Sequence, residues 1–328
     1  MLTPRQNLLE TIRGGNPDRF VNQYEFLDAM FVDPINMTIP IPAYPGAPTA
    51  KDFWGITWCW PEHTPGLFPV HDEEHIVLKD IENWRDYVHA PSLDFPEELW
   101  EASRQEYAKV DREKYFAGPM ITPGLFEMLH SLMGMEEALM AFYTNPDEVK
   151  EIIDYIVDWE CGYAKLLGEK LHPDILFHHD DWGSNISTFL SPEMFAEFFL
   201  EPYKRLYQCY RDNGVQVIIH HSDSYAATLV PYMIEMGIDI WQGAVLNNDL
   251  PKLIDQYGGK ISFMAGIDSS EVDRVDWTKE LIAEKVRWAC EKCGSKFFIP
   301  CCTAGGSMST YEGVYDTVSE EIAKQKIH

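Results

Sequence analysis

From about residue 84 onward, short apolar runs alternate with charged stretches of helical character, and no other feature restricts the fold of this chain as much. The runs are Tyr115-Phe116-Ala117, Asp174-Ile175-Leu176-Phe177, Val215-Gln216-Val217-Ile218-Ile219, Ile238-Asp239-Ile240-Trp241, Ile261-Ser262-Phe263-Met264 and Phe297-Phe298-Ile299. Each is too short for a helix and is bounded by turn or polar residues, so each is expected as a buried strand. Asn145-Pro146-Asp147-Glu148 and Ser191-Pro192-Glu193 carry the signals of helix N-termini between the runs. Strand and helix in alternation predict parallel pairing through βα units. No Gly-x-Gly-x-x-Gly turn comes after any run, and polar residues gather after several of them, so a closed (β/α)8 TIM barrel of the α/β class is expected rather than an open doubly wound sheet.

The chain starts with a helix signal: Thr3 as N-cap, Pro4 at the first helical position, Gln6 completing a capping box, then Leu8, Leu9 and Ile12 up to Gly14-Gly15. Residues 16–80 are rich in Pro, Trp, Tyr and Phe (Trp54, Trp58, Trp60, Phe53, Tyr44) without periodicity, and read as a lid or mouth excursion or as an aromatic-stapled surface loop. With no repeat and no composition break, residues 1–328 are expected to form a single barrel domain.

Charge narrows the partners. Lys and Arg number 26 against 53 Asp and Glu, a net charge of −27, which repels nucleic-acid phosphates and anionic lipid. No apolar run is long enough to span a bilayer and the start lacks signal-peptide architecture, so a cytoplasmic location is expected, with neither nucleic acid nor membrane as partner. Seven cysteines (59, 161, 209, 290, 293, 301 and 302) do not read as a disulfide framework and are expected as core residues, ligands or reactive thiols. Cys290-x-x-Cys293, with no second pair, reads as coincidence rather than a redox or zinc motif.

In a barrel of this kind the loops after the strands build the active site. Directly after the runs stand His178-His179-Asp180-Asp181-Trp182, His220-His221-Ser222-Asp223, Gln242-Gly243, Ala265-Gly266-Ile267-Asp268 and Pro300-Cys301-Cys302. Imidazole, carboxylate and thiolate on one rim are zinc ligand types, and three protein ligands with an open position are what catalysis needs. His221, Asp223 and Cys302 are the expected ligands; an alternative register uses His220 and Ser222, and Cys301 competes with Cys302. A bland reading makes the histidines hydrogen-bonded wall residues and the cysteines small buried hydrophobes. Asp180, Asp181 and His220 are the candidates for acid, base or ligand-orienting roles, with Asp180 and Asp181 alternatively capping the next turn. His179, Trp182, Gln242 and Asp268 share the rim and are candidate substrate contacts.

The ordered set Thr3-Pro4-Arg5, Pro17-Asp18-Arg19, Leu190-Ser191-Pro192-Glu193-Met194-Phe195 with Pro202-Tyr203, His221-Ser222-Asp223, Glu235-Met236-Gly237-Ile238-Asp239, Gly266-Ile267-Asp268 and Pro300-Cys301-Cys302 resembles the uroporphyrinogen decarboxylase-like superfamily, in particular its corrinoid-dependent zinc methyltransferases. In that branch the zinc ligands are a His-x-Cys pair and a later Cys; His221 and Cys302 match, and Asp223 stands where the first Cys would be. The resemblance implies zinc, a partner corrinoid-binding protein carrying a cobalamin-type cofactor, and a small-molecule methyl donor. A carboxylate in place of a thiolate favours an oxygen-bound methyl group, and the aromatic excursion favours an aromatic methyl ether, so the expected activity is that of an O-demethylase methyltransferase component. The alternatives are a methyl-corrinoid:tetrahydrofolate or thiol methyltransferase, a uroporphyrinogen decarboxylase, disfavoured because Arg19 is followed by Phe20-Val21-Asn22-Gln23 without an Arg pair, and a metal-free ligand-binding member. The oligomeric state, homodimer included, is left open.

Overall fold

The computed structural model describes every residue except His63, Pro65 and His328. Its strands are β1 (Leu27–Asp28), β2 (Ala50–Lys51), β3 (Thr57–Cys59), β4 (Phe68–Pro69), β5 (Phe116–Ala117), β6 (Met120–Ile121), β7 (Ile175–His179), β8 (Val217–His221), β9 (Ile240–Gln242), β10 (Ser262–Ile267) and β11 (Phe298–Cys302). The last six pair in parallel in the order β6-β7-β8-β9-β10-β11, and β1 pairs in parallel with β5. Backbone bonds from Met120 N–H to Met30 and from Phe177 N–H to Pro119 join the two ladders through residues 116–121. The remaining gap is bridged by Gln23: its Oε1 accepts the Cys302 N–H at 3.3 Å while its Nε2 donates to Ser319 Oγ at 2.7 Å. This is the expected α/β barrel of TIM type, with one joint made by a side chain instead of a backbone ladder.

Alternation along the strands separates two cores. Ile175, Phe177, Val217, Ile219, Ile240, Met264, Ile299 and Cys301 fill the barrel, whereas Leu176, Ile218, Trp241, Phe263, Ala265, Phe298 and Cys302 pack outward against the helices. The helix Pro4–Ile12 has the expected Thr3–Gln6 capping box and inserts Leu8 into the inner core, while the Arg5 guanidinium pairs with Asp174 below β7. Ser191 caps the helix that begins at Pro192, as expected; Asn145 precedes Pro146–Lys170 without making the side-chain cap bond. Between Pro192 and Asp212 the helix contains a π-type turn over Ala196–Leu200.

Two sequence expectations change. The strands extend beyond the apolar runs, so His178, His179, His220, His221, Gln242, Cys301 and Cys302 lie within strands and not in the loops after them. Parallel pairing satisfies their backbone groups, so polar side chains can end each strand as long as they find partners of their own. The cysteines are also not all thiols: Cys161 and Cys209 form a disulfide across helices Pro146–Lys170 and Glu201–Asp212, with Cα atoms 5.6 Å apart. Separation by 48 residues left no local signal for that pairing. Cys290 and Cys293 are buried free thiols, each pushed up to about 12 by burial.

Within residues 16–80, β2, β3 and β4 form a small antiparallel sheet. The segment divides in two: Val21, Tyr24, Phe26 and Met30 pack in the inner core beside β1, whereas the later part lies against the helices, where Trp54 meets Trp159 edge-on at 5.1 Å and Val77 and Leu78 donate backbone hydrogen bonds to Leu132. No helix among the described residues is long and apolar enough to cross a membrane.

Candidate metal centre

Parallel register decides which polar residues meet. His179 pairs with His221 and His221 with Gln242, so three inward side chains stand side by side at the carboxyl ends of β7, β8 and β9. The imidazoles of His179 and His221 stack at 4.3 Å with 29° between their planes. Just beyond β7, Asp181 brings Oδ1 to 3.9 Å from His221 Nε2. One ligand atom each from His179, Asp181 and His221 lies within 4.8 Å of the others. Asp181 is held in place by the Asp223 N–H, which donates to its Oδ1 at 2.9 Å.

Partners outside the trio select the imidazole nitrogens. Gln242 Nε2 donates to the carbonyls of Cys302 (3.0 Å) and Thr303 (3.2 Å), which turns its Oε1 toward His221 Nδ1. An amide oxygen only accepts, so Nδ1 carries the proton and Nε2 keeps its lone pair. His179 Nδ1 faces Glu127 Oε2 at 2.9 Å, which leaves Nε2 for the shared space in the same way. Gly305 closes over the ring of His221: a Cβ there would stand 3.2–3.4 Å from its atoms.

The electrostatics of the rim are those of crowded acids. Burial alone would lower the His179 imidazole, but the Glu127 carboxylate, with Asp181 and Asp223, outweighs it and pushes the group up to about 10. Burial, with His179 alongside, pulls His221 down to about 4. Asp223 reaches solvent at the lip, yet the solvation it loses there and the Asp181 charge beside it push its carboxyl up to about 8.

The other sequence candidates fall elsewhere. His220 is wholly buried on the outer face of β8, with Nδ1 2.6 Å from Tyr207 Oη, Nε2 3.2 Å from the Asp180 carbonyl, and Trp182 stacked on it at 3.9 Å. Asp180 accepts from the N–H groups of Phe126 and Glu127, from Trp182 Nε1 and from Tyr203 Oη, so it anchors the start of helix Leu125–Met133. Burial, with Glu127 nearby, pushes Asp180 up to about 7. Ser222 Oγ bonds Ser224 Oγ and the Trp182 N–H. Asp268 caps the short helix Ser269–Val272. Cys302 does not join His221 and Asp223: it points outward from β11 into the helix layer, and burial pushes its thiol up to about 12. Cys301 faces the barrel interior beside Gln23 and Tyr24. Glu127 was missed, because a helical glutamate 52 residues before its histidine carries no local signal.

The family model for uroporphyrinogen decarboxylase (URO-D) matches residues 60–285. Among solved structures, a methyltransferase from Methanosarcina mazei is 13% identical over 99% of both chains, with a TM-score of 0.66, a likeness of fold. A B12-independent methionine synthase from Shewanella sp. W3-18-1 in complex with selenomethionine is 15% identical over 73% of this chain and 70% of its own, with a TM-score of 0.43. No curated protein matches the chain.

Proposed function

Because the chain belongs to the uroporphyrinogen decarboxylase (URO-D) family, we propose that it is the methyltransferase kind of member, a zinc-dependent enzyme that moves a methyl group from an O-methyl substrate to Co(I) of a corrinoid protein. The observation that carries the reading is the convergence of His179, Asp181 and His221 at the barrel mouth, with both imidazoles turned so that Nε2 faces the shared space. Two imidazoles and a carboxylate with an open side fit a catalytic zinc. Bound by these three residues, zinc would supply Lewis acidity toward the oxygen that leaves when the methyl group departs.

The protein's own residues supply position. Gln242 and Glu127 fix the rings, the Asp223 N–H aims Asp181, and the loop at Gly305 covers one face of His221. A donor set of nitrogen and oxygen, without thiolate, suits an oxygen ligand better than a thiol. The decarboxylase alternative loses support at the same place. Among the described residues no lysine or arginine pairs with Glu127, Asp181 or Asp223, so the mouth offers negative charge to a substrate with many carboxylates.

The test is an assay for methyl-cobalamin formation from a methoxyarene, run beside methyl-cobalamin consumption by tetrahydrofolate, on protein of measured zinc content. Demethylation that falls with the zinc content supports the reading. Undiminished activity in metal-free protein, or turnover only toward tetrahydrofolate, overturns it.

A further inference from the structure

On the outer face of the barrel, the excursion of residues 16–80 closes a second cavity of about 90 Å³, which shares no residue with the metal centre. Ile121, which lines it, pairs with the outward His178, so the β6–β7 ladder lies between this cavity and the barrel mouth. Its walls are aromatic. Trp159 and Tyr163 lie nearly parallel at 6.0 Å, and Trp54 stands edge-on to Trp159. The polar edges of the parallel pair are already used, since Trp159 Nε1 donates to the Pro91 carbonyl at 2.8 Å and Tyr163 Oη donates to Asp33. Ring surface is what those two groups have left to offer.

Two carboxylates also line the space, Glu160 and Asp52. Asp52 is saturated by the N–H groups of Trp54 and Ile56 and by Trp58 Nε1. Glu160 is 2% exposed, and its Oε1 takes the Tyr210 hydroxyl at 2.9 Å with His178 Nε2 behind it at 3.2 Å. Oε2 receives no hydrogen bond from any described residue. No lysine, arginine or histidine is among the described residues of the lining. The free oxygen of a buried carboxylate in an aromatic enclosure can accept a compact positive charge, and aromatic faces attract the same kind of group.

We propose that this cavity is a binding site for a small organic cation of the methylated-ammonium class, enclosed by Trp54, Trp159 and Tyr163 with its charge against Glu160. The site is independent of the metal centre, so either assignment can fail without the other.

The test is calorimetric titration of the full chain with choline and with its uncharged isostere 3,3-dimethylbutan-1-ol. Choline should bind saturably and at least about tenfold more tightly than the alcohol, and Glu160→Gln should erase most of that preference. Trp54→Leu, at a residue contributed by the excursion and outside the Glu160 hydrogen bonds, should weaken choline by about tenfold with the fold checked by thermal melting. Equal affinity for the two probes, no saturable heat with choline, or choline binding unchanged in a folded Glu160→Gln or Trp54→Leu protein overturns the proposal.

Discussion

Gln242 presents its side-chain oxygen to Nδ1 of His221 because its amide nitrogen is already committed to the carbonyls of Cys302 and Thr303. Three strands thus determine which nitrogen of one imidazole is free. Gln242→Leu keeps the volume and deletes that control, and Glu127→Gln weakens the corresponding control on His179. Each should lower zinc affinity by about 10–100-fold, measured by competition with a chromogenic chelator. Affinity equal to wild type in both would show that the rings need no such support.

The two possible ligand sets give opposite outcomes for the thiol. Cys302 lies on the outward face of β11, so Cys302→Ala should leave close to the wild-type zinc content, whereas His179→Ala and Asp181→Ala should each abolish stoichiometric binding. Elemental analysis after dialysis decides, and zinc lost only with Cys302 would restore the set expected from the sequence.

Asp180 ties four donors from three segments to one buried carboxylate. Asp180→Ala leaves the Tyr203 hydroxyl, the Trp182 indole N–H and two helix-start N–H groups without their acceptor, at a cost of about 4 kcal/mol. Urea denaturation should show this as a shifted midpoint. A change below about 1 kcal/mol would mean that water replaces the carboxylate freely.

The Cys161–Cys209 bond closes a loop between residues 48 apart. Loop-closure entropy makes it worth about 4 kcal/mol, so Cys161→Ser should lose most of that and reduction should lower the melting temperature of the wild type but not of the variant. Identical melting with and without reductant would show that the bond contributes nothing to stability in solution.

Burial, with His71 beside it, pulls the His130 imidazole down to about 4, and its Nδ1 has no hydrogen-bond partner among the described residues. The ordinary value is 6.5, so between these two pH values the unfolded chain takes up a proton that the folded protein refuses. The stability contributed by neutral His130 is therefore complete above pH 6.5 and is lost as pH falls toward 4. His130→Gln should gain about 2–3 kcal/mol relative to wild type between pH 7 and pH 4, read from denaturation midpoints across that range. A constant difference between the two proteins would place His130 in a solvated setting.

Much of the barrel was legible because its strands are buried on both faces and its helices carry caps, signals that lie within a few residues of each other. The run Val217-Ile218-Ile219 announces β8, and Thr3-Pro4-Arg5-Gln6 announces the first helix. The strand ends were less legible. An apolar-run criterion stops at Ile219, whereas parallel pairing carries β8 through His220 and His221.

The sequence alone determined the class of fold, the end of the barrel where these polar side chains gather, and the membership of His179, Asp181 and His221 in that rim. Tertiary structure decided which residues share a space. Adjacent residues in a strand face opposite ways, so a shift of one position sends His220 and Cys302 into the helix layer while His221 and Cys301 face the barrel. Strand register then sets His179 beside His221, and only a packed helix brings Glu127 across 52 residues of chain to hold it.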